Sequence, residues 1–397
     1  MQEYLNIVQT EDCTGCSACL NSCPIGCIVM SADEHGFRYP HVDRSSCIDC
    51  GQCESVCPVL NNRPSNSTSL FYGCKHVDDE VRRHSSSGGF FYELARTVIM
   101  SGGVVFGAAF SEDFHRVVHV KASTLEELEP IRVSKYVQSE VDSSFPLVKA
   151  ALGRGQSVLF SGTPCQIAGI KSFIGEVPDN LILAEVICHG VPSPKVWDIY
   201  LSGLENNQGS KVKFVTFRDK SKSWRKSDFL ALFENGDEFR QANSENPYMK
   251  AFLKNLSLRP SCARCRFKSF SSGTDITMGD FWGSTELGDS YNDDIGISVV
   301  ALNTFKGRNC FDSIKDKLTD VVELCEKQAF VFNESYRESA HESSFKKEFY
   351  STISGDYFES IVYDLFNRIE SHKVSHSSSF LLKKLMSKIH SFIKTIV

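Results

Sequence analysis

Eight cysteines near the N-terminus have the residue type and the spacing to work together. Cys13, Cys16, Cys19 and Cys23 stand before Pro24, and Cys47, Cys50, Cys53 and Cys57 stand before Pro58. The spacing is C-x2-C-x2-C-x3-C-P, written twice. A cubane iron–sulfur cluster needs four thiolates arriving from tetrahedral directions. Three close cysteines wrap one face of a cluster, and the fourth, before proline, turns to the neighbouring one. This assigns Cys13, Cys16, Cys19 and Cys57 to one 4Fe–4S cluster and Cys47, Cys50, Cys53 and Cys23 to another. A zinc site or a disulfide framework is the simpler alternative. Zinc sites pair two C-x2-C units, without a third close cysteine and a trailing Cys-Pro.

The elements that must hold these thiols are short. Between the two runs, Ile28-Val29-Met30, a turn at Asp33-Glu34-His35-Gly36 and Phe37-Arg38-Tyr39 predict a hairpin. Cys27 reads as a buried apolar thiol packed against the cluster, not as a ligand. Residues 1–60 thus resemble bacterial two-cluster ferredoxins. The polar stretch 61–70 reads as a linker.

The chain of 397 residues is long enough for more domains, and its 41% hydrophobic and 23% charged residues are those of a globular protein. A formal net charge of −6 gives no basic field for nucleic acid. Most of the sixteen cysteines gather at metal spacings. The first residues carry neither a basic start nor an apolar signal core. Cluster thiolates must stay reduced, so the expected compartment is the cytoplasm. No apolar run reaches the ~18 residues of a membrane span.

From residue 71 to about 370 the pattern is that of a mixed α/β domain, so the predicted fold class is α+β / α/β with the ferredoxin module in front. A helix is expected over 90–100, with Phe91, Leu94 and Val98 on one face. Strands are expected at 104–110, 117–121 and 158–160, and a helix to Ile174. Leu181–Ile187 is apolar except for Glu185, as a buried parallel strand would be. Strand–helix alternation implies βαβ units. Residues 211–240 read as antiparallel strands turning at Asn235-Gly236. Another strand is expected at 297–302, and the remainder reads as mainly helical.

A second set of cysteines emerges from this pattern. Cys165 sits where a strand gives way to a helix, and Cys188 at the end of the next apolar strand. If those strands are parallel neighbours, both thiols leave at the carboxyl edge of the sheet, where α/β folds bind ligands. The pair Cys262-x2-Cys265 would complete a third cubane site. Spacing alone leaves open a zinc knot, or two core thiols beside an unrelated C-x2-C. Cys74, Cys310 and Cys325 read as reduced structural thiols.

Ser85-Ser86-Ser87-Gly88-Gly89, Ser134-Lys135-Tyr136-Val137-Gln138, Gly162-Thr163-Pro164-Cys165-Gln166, Cys188-His189-Gly190-Val191-Pro192-Ser193 and Gly279-Asp280-Phe281-Trp282-Gly283 resemble, in order, the motifs of the family of coenzyme F420 hydrogenase/dehydrogenase beta subunits. The resemblance spans about residues 71–300. It implies FAD with a third 4Fe–4S cluster beside it, held by Cys165, Cys188, Cys262 and Cys265. No G-x-G-x-x-G is present, so the dinucleotide site is not of Rossmann type. Ser86, Ser87, Gly88 and Gly89 precede a helix and can turn N–H groups and hydroxyls to a pyrophosphate. By themselves they read more readily as an N-cap and turn. Gly162 and Thr163 open another helix in the same way. The resemblance adds Lys135 for a phosphate, Tyr136 for the flavin ring, and Gln138. His189, Asp280 and Trp282 are further candidates for the lining, with structural roles as the alternative.

The function this implies is an FAD- and 4Fe–4S-dependent oxidoreductase. It would join a hydride-exchanging organic partner at FAD to one-electron clusters, using a redox partner protein or a small-molecule donor or acceptor. The alternatives are an electron-transfer subunit without chemistry of its own, within cell-surface polysaccharide synthesis, and a scaffold that has lost flavin. Residues 371–397 read as a Ser-rich hinge followed by a basic amphipathic helix. Leu381, Leu382, Leu385, Ile389, Phe392, Ile393 and Ile396 share one face of it. Such a helix suits peripheral membrane contact or docking on protein.

Overall fold

A computed structural model of the chain describes residues 7–61, 69–288, 291–355 and 357–371. The C-terminal amphipathic helix and most of the expected linker lie outside these residues. Among the described residues no helix is long and apolar enough to cross a membrane.

The N-terminal module is built on an antiparallel hairpin, β1 (Ile28–Ala32) and β2 (Arg38–Val42). The Asp33 carboxylate closes its turn by accepting from the N–H groups of His35 (3.0 Å) and Phe37 (2.8 Å). Two short helices, Ala18–Ser22 and Gln52–Ser55, carry the cysteines that follow.

The body is an eight-stranded mixed sheet. Its strands are β3 (Leu70–His76), β4 (Val104–Phe110), β5 (Val117–Ala122), β6 (Val158–Gly162) and β7 (Leu181–Val186). A three-stranded antiparallel sheet follows, of β8 (Val212–Asp219), β9 (Asp228–Phe233) and β10 (Glu238–Ala242). The main sheet is completed by β11 (Ile276–Asp280), β12 (Ser298–Leu302) and β13 (Leu318–Leu324), in the order β13-β3-β12-β11-β7-β6-β4-β5. At its centre β4, β6, β7 and β11 run parallel, and the outer strands pair antiparallel. The centre is apolar because both of its faces are covered, and Leu159, Phe160, Leu183 and Ala184 are buried. The expected helical character after residue 302 holds only in part. β13 takes the sheet edge beside β3, with a bulge between Thr319 and Val322 and Asp320 in the left-handed region (φ 48°). Such an irregular edge has no clean two-residue alternation to read.

The module is fastened to the body at several points. The hairpin tip meets the start of helix Pro194–Gln208. There Ser193 Oγ donates to the carbonyl of His35, and Lys195 Nζ to that of Glu34 (2.7 Å). Gly36 is required at this tip. Its φ is 83°, and a Cβ would lie 2.5 Å from that of Lys195. Arg38 bridges to Glu140 (2.8 Å) and Asp142 (2.6 Å), and Ser17 Oγ donates to Asp142 (2.6 Å).

Candidate functional site: three cysteine groups and a cavity

Charged neighbours among the module's cysteines include the pairs that exchange of the fourth member calls for, with Cys57 beside both Cys13 and Cys53. Cys16 is pushed up to about 12, by burial first and then by the nearby Cys57 and Cys13. Cys19 rises for the same reasons, with Cys16, Cys13 and Cys57 as its charged neighbours. This inner group is therefore Cys13, Cys16, Cys19 and Cys57. Cys53, raised by burial, has Cys47 beside it. Cys47 in turn neighbours Cys27, whose Sγ lies 3.5 Å from that of Cys23. Cys50 is exposed, so the outer group faces solvent.

The third group comes from three separate parts of the chain. β6 and β7 are parallel neighbours, with Gly162 opposite Glu185, so Cys165 and Cys188 follow at one sheet edge. The turn Pro260–Arg264 brings Cys262 and Cys265 to them. Burial, and then the charges of Cys188, Cys265 and Cys262, hold Cys165 well above the usual thiol range. Burial pushes Cys188 up to about 12. Thiols this hard to ionise need a strong local positive charge to become ligands, which bound iron supplies. Among the described residues no three His, Cys, Asp or Glu side chains lie close enough to share one ion. A four-iron cluster binds each thiolate at its own corner and requires no such closeness.

All three groups border one apolar core. Ile7, Ile28, Val42, Cys57, Val59, Ala168 and Phe267 form it, and Cys19, Cys23, Cys47, Cys53, Cys165 and Cys265 pack around it.

Cys188 of the third group also borders a cavity of about 950 Å³. This is at the upper end of small-molecule sites. Ser86, Ser87, Gly89, Lys135, Tyr136, Gly162 and Thr163 line it, as do Cys188, His189, Asp280 and Trp282. Two expected residues stand elsewhere. Gly88 is buried against β3 and β12, where its N–H donates to Ser298 Oγ (3.0 Å) and a Cβ would lie 2.7 Å from the carbonyl oxygen of Cys74. Gln138 turns to the module and donates to the carbonyl of Thr14 (3.0 Å). Tyr136 leans on Phe252 (5.2 Å between ring centroids), so much of its surface is already packed. Both nitrogens of His189 are engaged, Nε2 with Asn255 (2.6 Å) and Nδ1 with Ser335 (3.2 Å), which favours a structural role over proton relay. Asp280 is a hub that accepts from Ser87, Trp224 and Arg218.

Residues the sequence reading missed also face the cavity. Arg218, Arg225, Arg132 and His119 line it, and the Nε of each arginine and Nδ1 of His119 are buried without a protein partner. Burial lowers His119 to about 4, so its ring is neutral. Trp282 stacks on Trp224 with centroids 5.0 Å apart. The signal for His119 was its position in phase with the buried residues of β5.

Glu185 lies in the middle of β7, accepting from Ser272 and from Thr277 (2.8 Å). Burial raises it to about 7. Its neutral form contributes stability that is fully present below the ordinary carboxylate range and lost as pH rises through about 7. Glu185→Gln should therefore match the parent near pH 4 and exceed it at pH 8 by roughly 3 kcal/mol. Thermal unfolding at the two pH values reads the difference.

Residues 155–327 match the family described as coenzyme F420 hydrogenase/dehydrogenase, C terminus of the beta subunit, and residues 12–61 match a 4Fe–4S dicluster domain. The chain is thus similar to this family over residues 155–327 and to dicluster ferredoxins over residues 12–61. It is 23% identical over 194 residues to one of the subunits of an F(420)H(2) dehydrogenase from Methanosarcina mazei, covering 45% of this chain and 53% of that protein. It is 43% identical over 54 residues to a Ferredoxin 7Fe from Hydrogenibacillus schlegelii, covering 13% of this chain and 63% of the ferredoxin. The chain thus spans about half to two thirds of the length of these relatives. A chain of the F420-reducing NiFe hydrogenase complex from Methanosarcina barkeri superposes with a TM-score of 0.46 at 20% identity, covering 68% of this chain and 89% of that one. The chain carries a 4Fe–4S dicluster domain, and the region behind it is related to subunits of oxidoreductases.

Proposed function

We propose that the chain is an iron–sulfur flavoprotein that passes electrons between an organic hydride partner and one-electron carriers. The observation that carries this reading is the continuity of the cavity, the third cysteine group and the module: Cys188 lines the cavity, and Cys165 and Cys265 share a core with Cys19, Cys23 and Cys57. Cys165, Cys188, Cys262 and Cys265 would hold a third 4Fe–4S cluster. Ser86, Ser87, Gly89, Lys135, Gly162 and Thr163 would hold FAD, and the unpartnered Nε groups of Arg132 and Arg218 fit an anionic dinucleotide. Bound FAD would supply the exchange between hydride and single electrons. The chain's own part would be to bind the flavin and orient it. The reducing cytoplasm suits the thiolate ligands.

A second reading, an electron-transfer subunit serving a partner enzyme, is favoured by the exposed Cys50 and the exposed apolar Ile25 and Ile48 of the module. Iron and flavin content after anaerobic purification test the first reading. About twelve irons and one FAD per chain are expected, against about eight irons for the module alone. Reoxidation of the reduced chain by small acceptors, without a partner protein, separates the two readings.

Lys135 gives a further expected result. Burial in the cavity wall lowers it to about 7, so above that pH it is neutral. A phosphate beside it would restore the charge. FAD binding at pH 8 should take up about one proton, and at pH 6 almost none. Lys135→Met should abolish the uptake. Titration calorimetry in two buffers of different ionisation enthalpy measures it.

A further inference from the structure

Arg259 is 1% exposed, yet among the described residues no carboxylate forms an ion pair with it. Its guanidinium has neutral partners instead. Nε donates to the carbonyl of Cys13 (2.7 Å), Nη1 to Gln138 Oε1 (3.1 Å) and Nη2 to the carbonyl of Arg38 (3.0 Å). It lies over the rings of Tyr39 (4.3 Å) and Phe37 (5.5 Å). Its own carbonyl accepts from the N–H of Cys262 (3.0 Å), and its charge acts on the Cys262 thiol. A Cβ on Gly15 would come within 2.9 Å of Nη1, so the guanidinium is held tightly against the Cys13 loop.

A buried cation with only dipoles around it is costly, and folds that keep one supply an opposite charge. Here the groups flanking it are Cys13 of the inner group and Cys262 of the third. A cubane held by four thiolates is an anion, and gaining an electron makes it more so. We infer that Arg259 is a positioning residue shared by two clusters, its charge offsetting both and raising both midpoint potentials. This rests on the proposed reading of Cys165, Cys188, Cys262 and Cys265 as ligands. Gln138 orients the guanidinium from one side while holding the Thr14 carbonyl from the other.

A second cation provides the control. Lys268 Nζ donates to the carbonyls of Cys188 (2.6 Å) and Ser335 (2.7 Å), so it flanks the third group alone. Among the described residues neither cation hydrogen-bonds to Cys23, Cys47, Cys50 or Cys53. The test is an anaerobic redox titration of the full holoprotein followed by electron paramagnetic resonance. Iron is counted first: a parent chain with about eight irons would reject the third cluster itself, before Arg259 is in question. With about twelve irons present, Arg259→Gln is expected to shift the inner and third potentials to more negative values and to leave the outer one in place. Lys268→Met should shift only the third. Arg259→Lys keeps the charge and should stay near the parent, and it carries the test if the glutamine variant does not retain iron. Unchanged potentials in an iron-replete Arg259→Gln chain would overturn the inference. So would displacement of both potentials in Arg259→Lys, since packing and not charge would then be responsible.

Discussion

Cys165→Ser is expected to lower the iron content from about twelve to about eight atoms per chain while leaving flavin bound. Cys165 is the second residue of helix Pro164–Ile174, and its backbone does not depend on its sulfur. Thr163 N–H still donates to Gln166 Oε1 (3.0 Å), and Gln166 Nε2 to Ser139 Oγ (2.9 Å), so the helix start survives the change. What is lost is one of four thiolates. A serine hydroxyl, buried where even the thiol is held well above its usual range, is a far poorer anion. The module's two clusters should persist, because their ligands lie within residues 13–57. Electrons delivered to the cavity should then fail to reach them. Iron analysis together with the rate of cluster reduction decides the matter. Full iron content in the serine variant would remove Cys165 from the ligand set.

The parts of the molecule that the sequence made legible are those whose geometry is local. Eight cysteines in one short stretch suggest a grouping by spacing, and Cys57 stands beside Cys13 as exchange through the two Cys-Pro turns expects. The apolar runs of β6 and β7 were readable as buried parallel strands, and this sufficed to put Cys165 and Cys188 at one edge. Other features were set by partners far away in the chain. Gln138 belongs to a stretch that otherwise faces the cavity, yet a carbonyl at Thr14 and a guanidinium at Arg259 draw it to the module. Gly88 is a glycine because β3 and β12 press on it, which no local pattern reveals. Arg218 looks like an ordinary charged residue near the end of a strand. Only the sheet packing shows it buried beside Asp280 with its Nε unpartnered. In each case the decisive contact comes from a distant part of the chain or depends on packing between sheets.

Gly169→Leu should separate the inner cluster from the third without removing either. Glycine inside a helix costs up to about 1 kcal/mol relative to alanine, so its presence here calls for a reason. A Cβ at this position would lie 2.8 Å from Cys16 Cβ and 3.1 Å from its Sγ. Helix Pro164–Ile174 therefore brings its bare backbone against the inner group, one turn after Cys165 of the third. Cys16 cannot yield locally, because Ser17 is tied to Asp142 and Arg38 to Glu140 and Asp142. A leucine must lift the module as a body or push the helix back into the sheet, and either movement lengthens the gap that electrons cross. Iron content should stay near about twelve, and the outer potential should not move. Reduction at the cavity should proceed at the parent rate, and onward reduction of the module should slow by more than an order of magnitude. Rapid-mixing spectroscopy, following flavin and cluster absorbance separately, distinguishes the two steps. Gly169→Ala, with one methyl group to accommodate, should fall between parent and leucine variant. If the leucine variant transferred electrons as fast as the parent, the contact between Gly169 and Cys16 would lie off the route, and the path would have to run through the Arg259 side of the interface instead.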